Sequence, residues 1–457
     1  MSALWTAPDV AAAVGAETTG AWRASGVSID TRTLAAGDLF VALRDVRDGH
    51  DFVGDAFAKG AAAALVDRVP EGVDPARLLV VEDTQRGLEA LGAAGRARSG
   101  ARVVGVTGSV GKTGAKSALA HGLARQGRTH ASAKSYNNHW GVPLSLAQLP
   151  RDAAFGVFEM GMNHAGEIRR LTRQVRPHGA LVTAIAPAHL ENFDDESGIA
   201  RAKAEIFEGV EPGGFAVIPA DSPHTPLLEA AAKAAGCARL VRFGDGGEVR
   251  TVNVAVDPGG TSVEATVGGG RLRYRLGLPG THWVKNSLGL LAVVEALGAD
   301  VDDFAASLAG LRAEPGRGRP RTIPLADGGS ATLLDDSYNA NPASMRAALD
   351  VLATAPGRKL AALGAMKELG PTARELHAAL AEPIAEAGVA LVFTAGEEME
   401  ALADALPSAR RGGHGATAQD LVGSVRAALR PGDTLLVKGS LASNMGALVA
   451  ALVGEAG

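Results

Sequence analysis

Short apolar runs recur along the chain, each followed by a longer stretch of helical patterning. Toward the N-terminus the strand-like runs are Asp38 to Leu43, Ala62 to Asp67 and Leu78 to Glu82. A second segment opens at Arg102-Val-Val-Gly-Val-Thr107, a buried-strand run that passes directly into glycines. It continues through Ala154 to Phe158, Ala180 to Ile185 and Phe215 to Pro219. Strands alternating with helices predict a doubly wound, mostly parallel sheet. Between Val249 and Leu278 the period changes to two, around Pro-Gly-Gly and Gly-Gly-Gly turns. That stretch predicts a β-hairpin or small antiparallel sheet extending the parallel one. The Pro/Gly/Arg-rich stretch Glu314 to Arg321 reads as a linker. Beyond it, Ala331 to Leu334, Lys359 to Leu363, Ala390 to Thr394 and Thr434 to Val437 again alternate with helices, which predicts a Rossmann-like α/β domain. The expected division is three domains, 1–98, 99–313 and 314–457.

Length agrees, since 457 residues at about 150 per domain make three. With 46% apolar residues, only 4% aromatic and 59 glycines, the chain fits an Ala/Val/Leu-rich α/β protein and not a disordered one. A net charge of −5 without a polybasic run argues against nucleic acid or an anionic membrane as partner. The single cysteine, Cys237, excludes a disulfide framework and any multi-thiolate metal site. No apolar stretch has the length of a membrane span, and Asp9 and Glu17 interrupt what a signal peptide keeps apolar. The expectation is a soluble, cytoplasmic protein. It is expected to be a monomer, because no long apolar helix face calls for an obligate interface.

The sharpest chemical signal is Thr107-Gly-Ser-Val-Gly-Lys-Thr113, between a buried strand and the helical run Ala115 to Arg125. Gly108 and Gly111 let the backbone N–H groups of the loop, Ser109 and Val110 included, close around phosphate oxygens. The helix N-terminus adds its dipole, Lys112 neutralises phosphate charge, and the Thr113 hydroxyl suits Mg²⁺. The strict phosphate-loop pattern wants a further glycine where Val106 stands, so only the shorter variant Thr-Gly-x-x-Gly-Lys-Thr is matched. Glu159, at the end of a strand run, stands where a metal-binding carboxylate belongs. By themselves His189 reads as a structural histidine and Lys203, on a helical stretch, as a solvated charge.

Further strings complete the pattern: Asp30-Thr-Arg32, Asp48-Gly-His-Asp-Phe52, Tyr136-Asn-Asn-His-Trp-Gly-Val-Pro143, Glu159-Met-Gly-Met-Asn-His-Ala-Gly-Glu-Ile168 and His189-Leu-Glu191. Ala202-Lys-Ala-Glu-Ile-Phe-Glu208, Gly280-Thr-His-Trp-Val-Lys-Asn286, Asp335-Asp-Ser-Tyr-Asn-Ala-Asn-Pro342 and Val437-Lys-Gly-Ser440 follow in order. Together they resemble the Mur ligases, ATP-dependent amide-forming enzymes of peptidoglycan precursor synthesis. The resemblance implies an N-terminal UDP-sugar domain, a central ATP-binding domain and a C-terminal Rossmann-like domain that closes over the nucleotide. It implies transfer of the ATP γ-phosphate to the carboxylate of a UDP-N-acetylmuramoyl-tripeptide, then attack of D-alanyl-D-alanine on the acyl phosphate.

Carried over by position, Thr107 to Thr113 would bind ATP, with Lys112 on the β/γ phosphates and Thr113 and Glu159 on one Mg²⁺. His189 would serve a second Mg²⁺, and Lys203 would act as a carbamate. His282 and Asn286 would meet the adenine, Arg317 the γ-phosphate, and Asp336 the nucleotide. Thr31, Arg32, Asp48, Gly49 and His50 would line the UDP-sugar pocket, with Asn137 and Asn138 facing the muramoyl-peptide. The Asp335 to Pro342 and Tyr136 to Asn138 strings resemble the dipeptide-adding branch, and the Asp-Asn-Pro-Arg string expected of the diaminopimelate-adding branch is absent. A Mur-type ligase adding another amino acid or dipeptide stays open. A GTPase switch does not fit, because Asn-Lys-x-Asp is missing. Gly114, Ala365 and Leu441 depart from the family's usual residues, and the Leu43 to Arg47 loop is one residue short with no glycine.

Overall fold

A computed structural model describes residues 3–133, 135–187, 190–257, 260–326 and 328–454. Packing groups the chain into two compact units, Met1–Thr183 with Arg201–Val249 and Gly289–Phe304, and Ala184–Ala200 with Arg250–Leu288 and Ala305–Gly457.

The first unit carries two larger sheets and a two-stranded antiparallel one, Trp5–Thr6 with Arg23–Ala24. Strands β1 (Gly26–Ser28), β2 (Asp38–Val41), β3 (Ala63–Val66) and β4 (Leu78–Val80) pair in parallel and in sequence order. Apolar clusters cover both faces, one around Trp5, Leu39 and Leu65 and the other around Phe40, Val53 and Val66. Helix α1 (Thr84–Ala97) follows, N-capped by the Asp83 carboxylate on the Arg86 N–H.

The second sheet is built from β5 (Arg102–Thr107), β6 (Thr129–Ala131), β7 (Phe155–Glu159), β8 (Gly179–Val182), β9 (Phe215–Pro219) and β10 (Arg239–Phe243). Its order is β10-β9-β8-β5-β7-β6, parallel throughout. Every residue of β7, β8 and β9 is buried, which is why those strands read as continuous apolar runs. Helix α2 (Lys112–Leu123) leaves β5 through the glycine loop.

The two sheets are locked together along α1 and helix α3 (Gly141–Ala147). A Cβ on Gly95 would stand 2.2 Å from the Leu146 carbonyl oxygen, and one on Gly92 would stand 2.9 Å from that of Pro143. The buried Arg96 guanidinium donates to the Val175 and Arg176 carbonyls at 2.8 and 2.9 Å, and the Trp5 indole N–H donates to Ala147 O at 2.8 Å. Gly95→Ala is therefore expected to cost about 2 kcal/mol of stability, since backbone cannot yield as a side chain would. Denaturant unfolding should show a lower midpoint at unchanged slope; an unchanged midpoint would mean that the helices separate without cost.

The second unit holds the antiparallel sheet β11 (Arg250–Asp257), β12 (Gly260–Val267) and β13 (Gly270–Leu276). This is the small antiparallel sheet that the period-two stretch predicts, separate from the six-stranded parallel one. It shares that unit with the six-stranded C-terminal sheet of β14 (Arg319–Pro324), β15 (Ser330–Asp336), β16 (Lys359–Gly364), β17 (Leu391–Ala395), β18 (Arg411–Gly415) and β19 (Thr434–Lys438). The order is β14-β15-β19-β16-β17-β18, parallel except for the β14–β15 pair. Apolar clusters cover both faces, as a Rossmann-like layer requires. The last three of the eight residues read as a linker are strand, because β14 begins at Arg319. Among the described residues no helix is long and apolar enough to cross a membrane.

Candidate active site

The glycine loop is held by its neighbours. Gly108 and Gly111 have φ of 149° and 85°, conformations that a side chain would strain, so only glycine turns the backbone inward here. No side chain caps the N-terminus of α2, which leaves its first N–H groups to an anion. The Thr107 hydroxyl donates to Met160 O at 2.8 Å, and Lys112 Nζ donates to Gly108 O at 2.7 Å. Thr183, buried at the end of β8, donates to Val110 O at 2.6 Å and fixes the far side of the loop. Its sequence signal was only that it lies in an apolar run. Thr113 Oγ1 lies 3.4 Å from Ser135 Oγ.

Two buried side chains near the loop carry atoms without partners. Glu159 ends β7 and is 1% exposed; Oε1 accepts the Asn137 amide N–H at 2.7 Å, while Oε2 has no donor. Lys203 is 0% exposed on the helix Glu196–Ala204, and its Nζ has no acceptor. Burial, with the Lys112 charge added, pushes the Lys203 amine well below the ordinary lysine range. The solvated lysine that the sequence alone allowed is therefore a buried one. An unpaired carboxylate oxygen is what a divalent cation would take, so the residues present fit Mg²⁺. Among the described residues no three His, Cys, Asp or Glu side chains gather as a metal cluster. His189 lies outside the described residues.

Asn137 and Asn138 are engaged within the protein. Asn137 steadies Glu159, and Asn138 Oδ1 accepts the Trp140 and Gly141 N–H groups, at 3.2 and 2.9 Å, at the start of α3. Arg32 pairs with Asp30 at 2.7 Å, and its backbone N–H donates to the same carboxylate at 2.9 Å, which closes the Asp30-Thr-Arg turn. Thr31 O accepts Lys59 Nζ at 2.8 Å. The His50 backbone N–H, with Arg68 and the His50 ring, holds the Asp48 carboxyl well below the usual carboxylate range. His50 is itself buried: Nδ1–H donates to Asp48 at 2.7 Å and Nε2 accepts the Asp67 N–H at 3.0 Å. It braces this loop from inside. Gly49 is obligatory, since a Cβ would meet Leu43 O at 2.5 Å.

In the second unit, Arg317, Asp336 and Lys438 form one charged group, with His282 close enough to feel the Lys438 charge. Lys438, 2% exposed, donates to Asp336 Oδ2 at 2.6 Å and Asn339 O at 2.8 Å. Burial pushes the Asp336 carboxyl up, and the Lys438 and Arg317 cations oppose that shift. Lys438 stands in a string singled out in the sequence but without a role there. Asn286 lies on the helix Thr281–Ala296.

Fold and site together define a nucleotide-dependent ligase class. The Mur ligase family catalytic domain matches residues 23–99, the Mur ligase middle domain 106–294, and the Mur ligase glutamate ligase domain 318–441. The chain belongs to the Mur ligase family. It is 38% identical to the UDP-N-acetylmuramoyl-tripeptide–D-alanyl-D-alanine ligase of Escherichia coli strain K12, over 93% of each chain. The structure of MurF from Acinetobacter baumannii superimposes with a TM-score of 0.87 at 30% identity, covering 99% of both chains. MurF ligase from Thermotoga maritima, solved with ADP, gives 0.79 at 27% identity over 94% of this chain and 97% of that one.

Proposed function

We propose that this protein joins D-alanyl-D-alanine to UDP-N-acetylmuramoyl-tripeptide at the expense of ATP, in the cytoplasm. The observation that carries the reading is the uncapped phosphate-loop helix beside a buried glutamate and lysine whose Oε2 and Nζ atoms have no protein partner. The names of the relatives supply the substrates.

ATP sits with its phosphates on the Gly108–Thr113 backbone and Lys112. Thr113, Glu159 and Lys203 are the residues that would hold Mg²⁺, Lys203 as a carbamate whose oxygens replace its cation. Mg²⁺, when bound, screens phosphate charge so that a second anion can approach. The tripeptide carboxylate takes the γ-phosphoryl group; the bond from that phosphorus to the bridging oxygen breaks and ADP leaves. Arg317 meets the γ-phosphate and so offsets the charge that builds there. The dipeptide amine then attacks the acyl carbon, a tetrahedral intermediate forms, and phosphate departs as the nitrogen loses its proton. Asn137 holds one oxygen of the Glu159 carboxylate and leaves the other for the metal. His282, Asn286 and Asp336 are the nucleotide contacts of the second unit. Thr31, Arg32 and the Asp48 to His50 loop form the UDP-sugar side.

Phosphate release by the purified protein with Mg-ATP and UDP-N-acetylmuramoyl-tripeptide should depend on D-alanyl-D-alanine, with a product gaining the mass of the dipeptide less water. Turnover with single amino acids but none with the dipeptide would move the protein to another branch of the family.

A further inference from the structure

The glycines around Arg317 make a built turn. Gly316 and Gly318 have φ of 73° and 85°, and a Cβ on Gly316 would stand 3.1 Å from Tyr338 Cβ. Asp335, buried at the end of β15, grips both sides: its carboxylate accepts the Gly316 N–H at 3.1 Å and the Ser337 hydroxyl at 2.7 Å. Its carbonyl accepts the Gly318 N–H at 2.7 Å, and Gly316 O accepts the Tyr338 N–H at 3.0 Å. From the other side Lys438 binds Asp336 and Asn339 O, so the residues flanking Tyr338 are anchored to β19. On this frame the Arg317 guanidinium carbon lies 4.3 Å from the centre of the Tyr338 ring.

We infer that Tyr338 is a positioning residue for Arg317: its ring, on a backbone held by the Asp335 and Lys438 contacts, carries the guanidinium so that its N–H edge meets the transferring phosphate already oriented. This rests on reading Arg317 as the γ-phosphate contact. A long arginine side chain in water samples many rotamers. A ring beneath the guanidinium plane removes most of them and leaves the N–H groups directed edgewise, where an anion binds. Orientation of this kind is realised in the rate and not in the affinity for ADP, which lacks the γ-phosphate.

Tyr338 is half-buried, so truncation leaves the core intact. Tyr338→Leu should lower kcat about tenfold while ADP affinity and the KM for ATP stay within about twofold. Tyr338→Phe, which keeps the ring, should restore the rate. Adding Tyr338→Leu to Arg317→Met should slow that variant no further, because the ring acts only through the arginine. A slow Arg317→Met beside an unchanged Tyr338→Leu would overturn the inference and keep the γ-phosphate reading. So would ADP affinity that falls in step with the rate, since the ring would then touch the nucleotide, or a Phe variant as slow as Leu. Normal turnover by Arg317→Met would overturn the γ-phosphate reading itself and the inference with it.

Discussion

Lys112→Met is expected to lower dipeptide-dependent phosphate release at least about a thousandfold, equivalent to ~4 kcal/mol of barrier. The substitution keeps the length of the stem and removes the charge together with the hydrogen bond to Gly108 O. The loop should survive, because its shape is set by Thr107 on Met160 O, by Thr183 on Val110 O and by the two glycines. Loss of rate with an unchanged melting temperature is thus the expected pair of results. Phosphate release within tenfold of the parent would sink the assignment of the loop as the triphosphate site.

Lys203→Met should separate stability from activity. A buried ammonium without an acceptor destabilises the fold, and a buried neutral amine leaves its hydrogen-bonding capacity unused. An apolar side chain of the same length removes either cost, so the melting temperature should hold or rise. Turnover should fall by about two orders of magnitude or more, because the carbamate oxygen proposed for the metal would be lost. The lowered lysine pKa also favours the neutral amine that reacts with carbon dioxide, so intact-protein mass in bicarbonate should show a carboxyl adduct that Lys203→Met lacks. A stable variant with full activity would remove Lys203 from the mechanism. A variant that melts lower would show that the amine has a stabilising partner in solution.

Membership of the family and the order of its parts were readable from the chain, because local chemistry imposes them. A phosphate loop needs glycines, a lysine and a hydroxyl at fixed spacing between a strand and a helix, and Thr107 to Thr113 supplies them within seven residues. Strands buried on both faces need unbroken apolar runs, so β7, β8, β9, β16 and β19 were visible. Strands at sheet edges escape that rule. Thr129–Ala131 is short and only half-buried, and Arg411–Gly415 has no apolar side chain, so neither carried a strand signal. Arg319–Pro324 was hidden by its prolines and arginines, which an edge strand tolerates and a central one does not.

The state of each side chain was decided by residues far away in sequence. Lys203 belongs to a helix that by pattern is amphipathic and charged, and only the surrounding fold shuts out water and brings the Lys112 charge against it. Asn137 and Glu159 are 22 residues apart, and Lys438 is 102 from Asp336. A motif states which atoms are available, while the tertiary fold states which of them are already spent. His50 is spent on Asp48 and the Asp67 N–H; Glu159 Oε2 and Lys203 Nζ are not. The sequence by itself determined the class of chemistry, since spacing within a loop is covalent. The tertiary structure decided protonation, orientation and partner, since burial and charge depend on distances that no local pattern encodes.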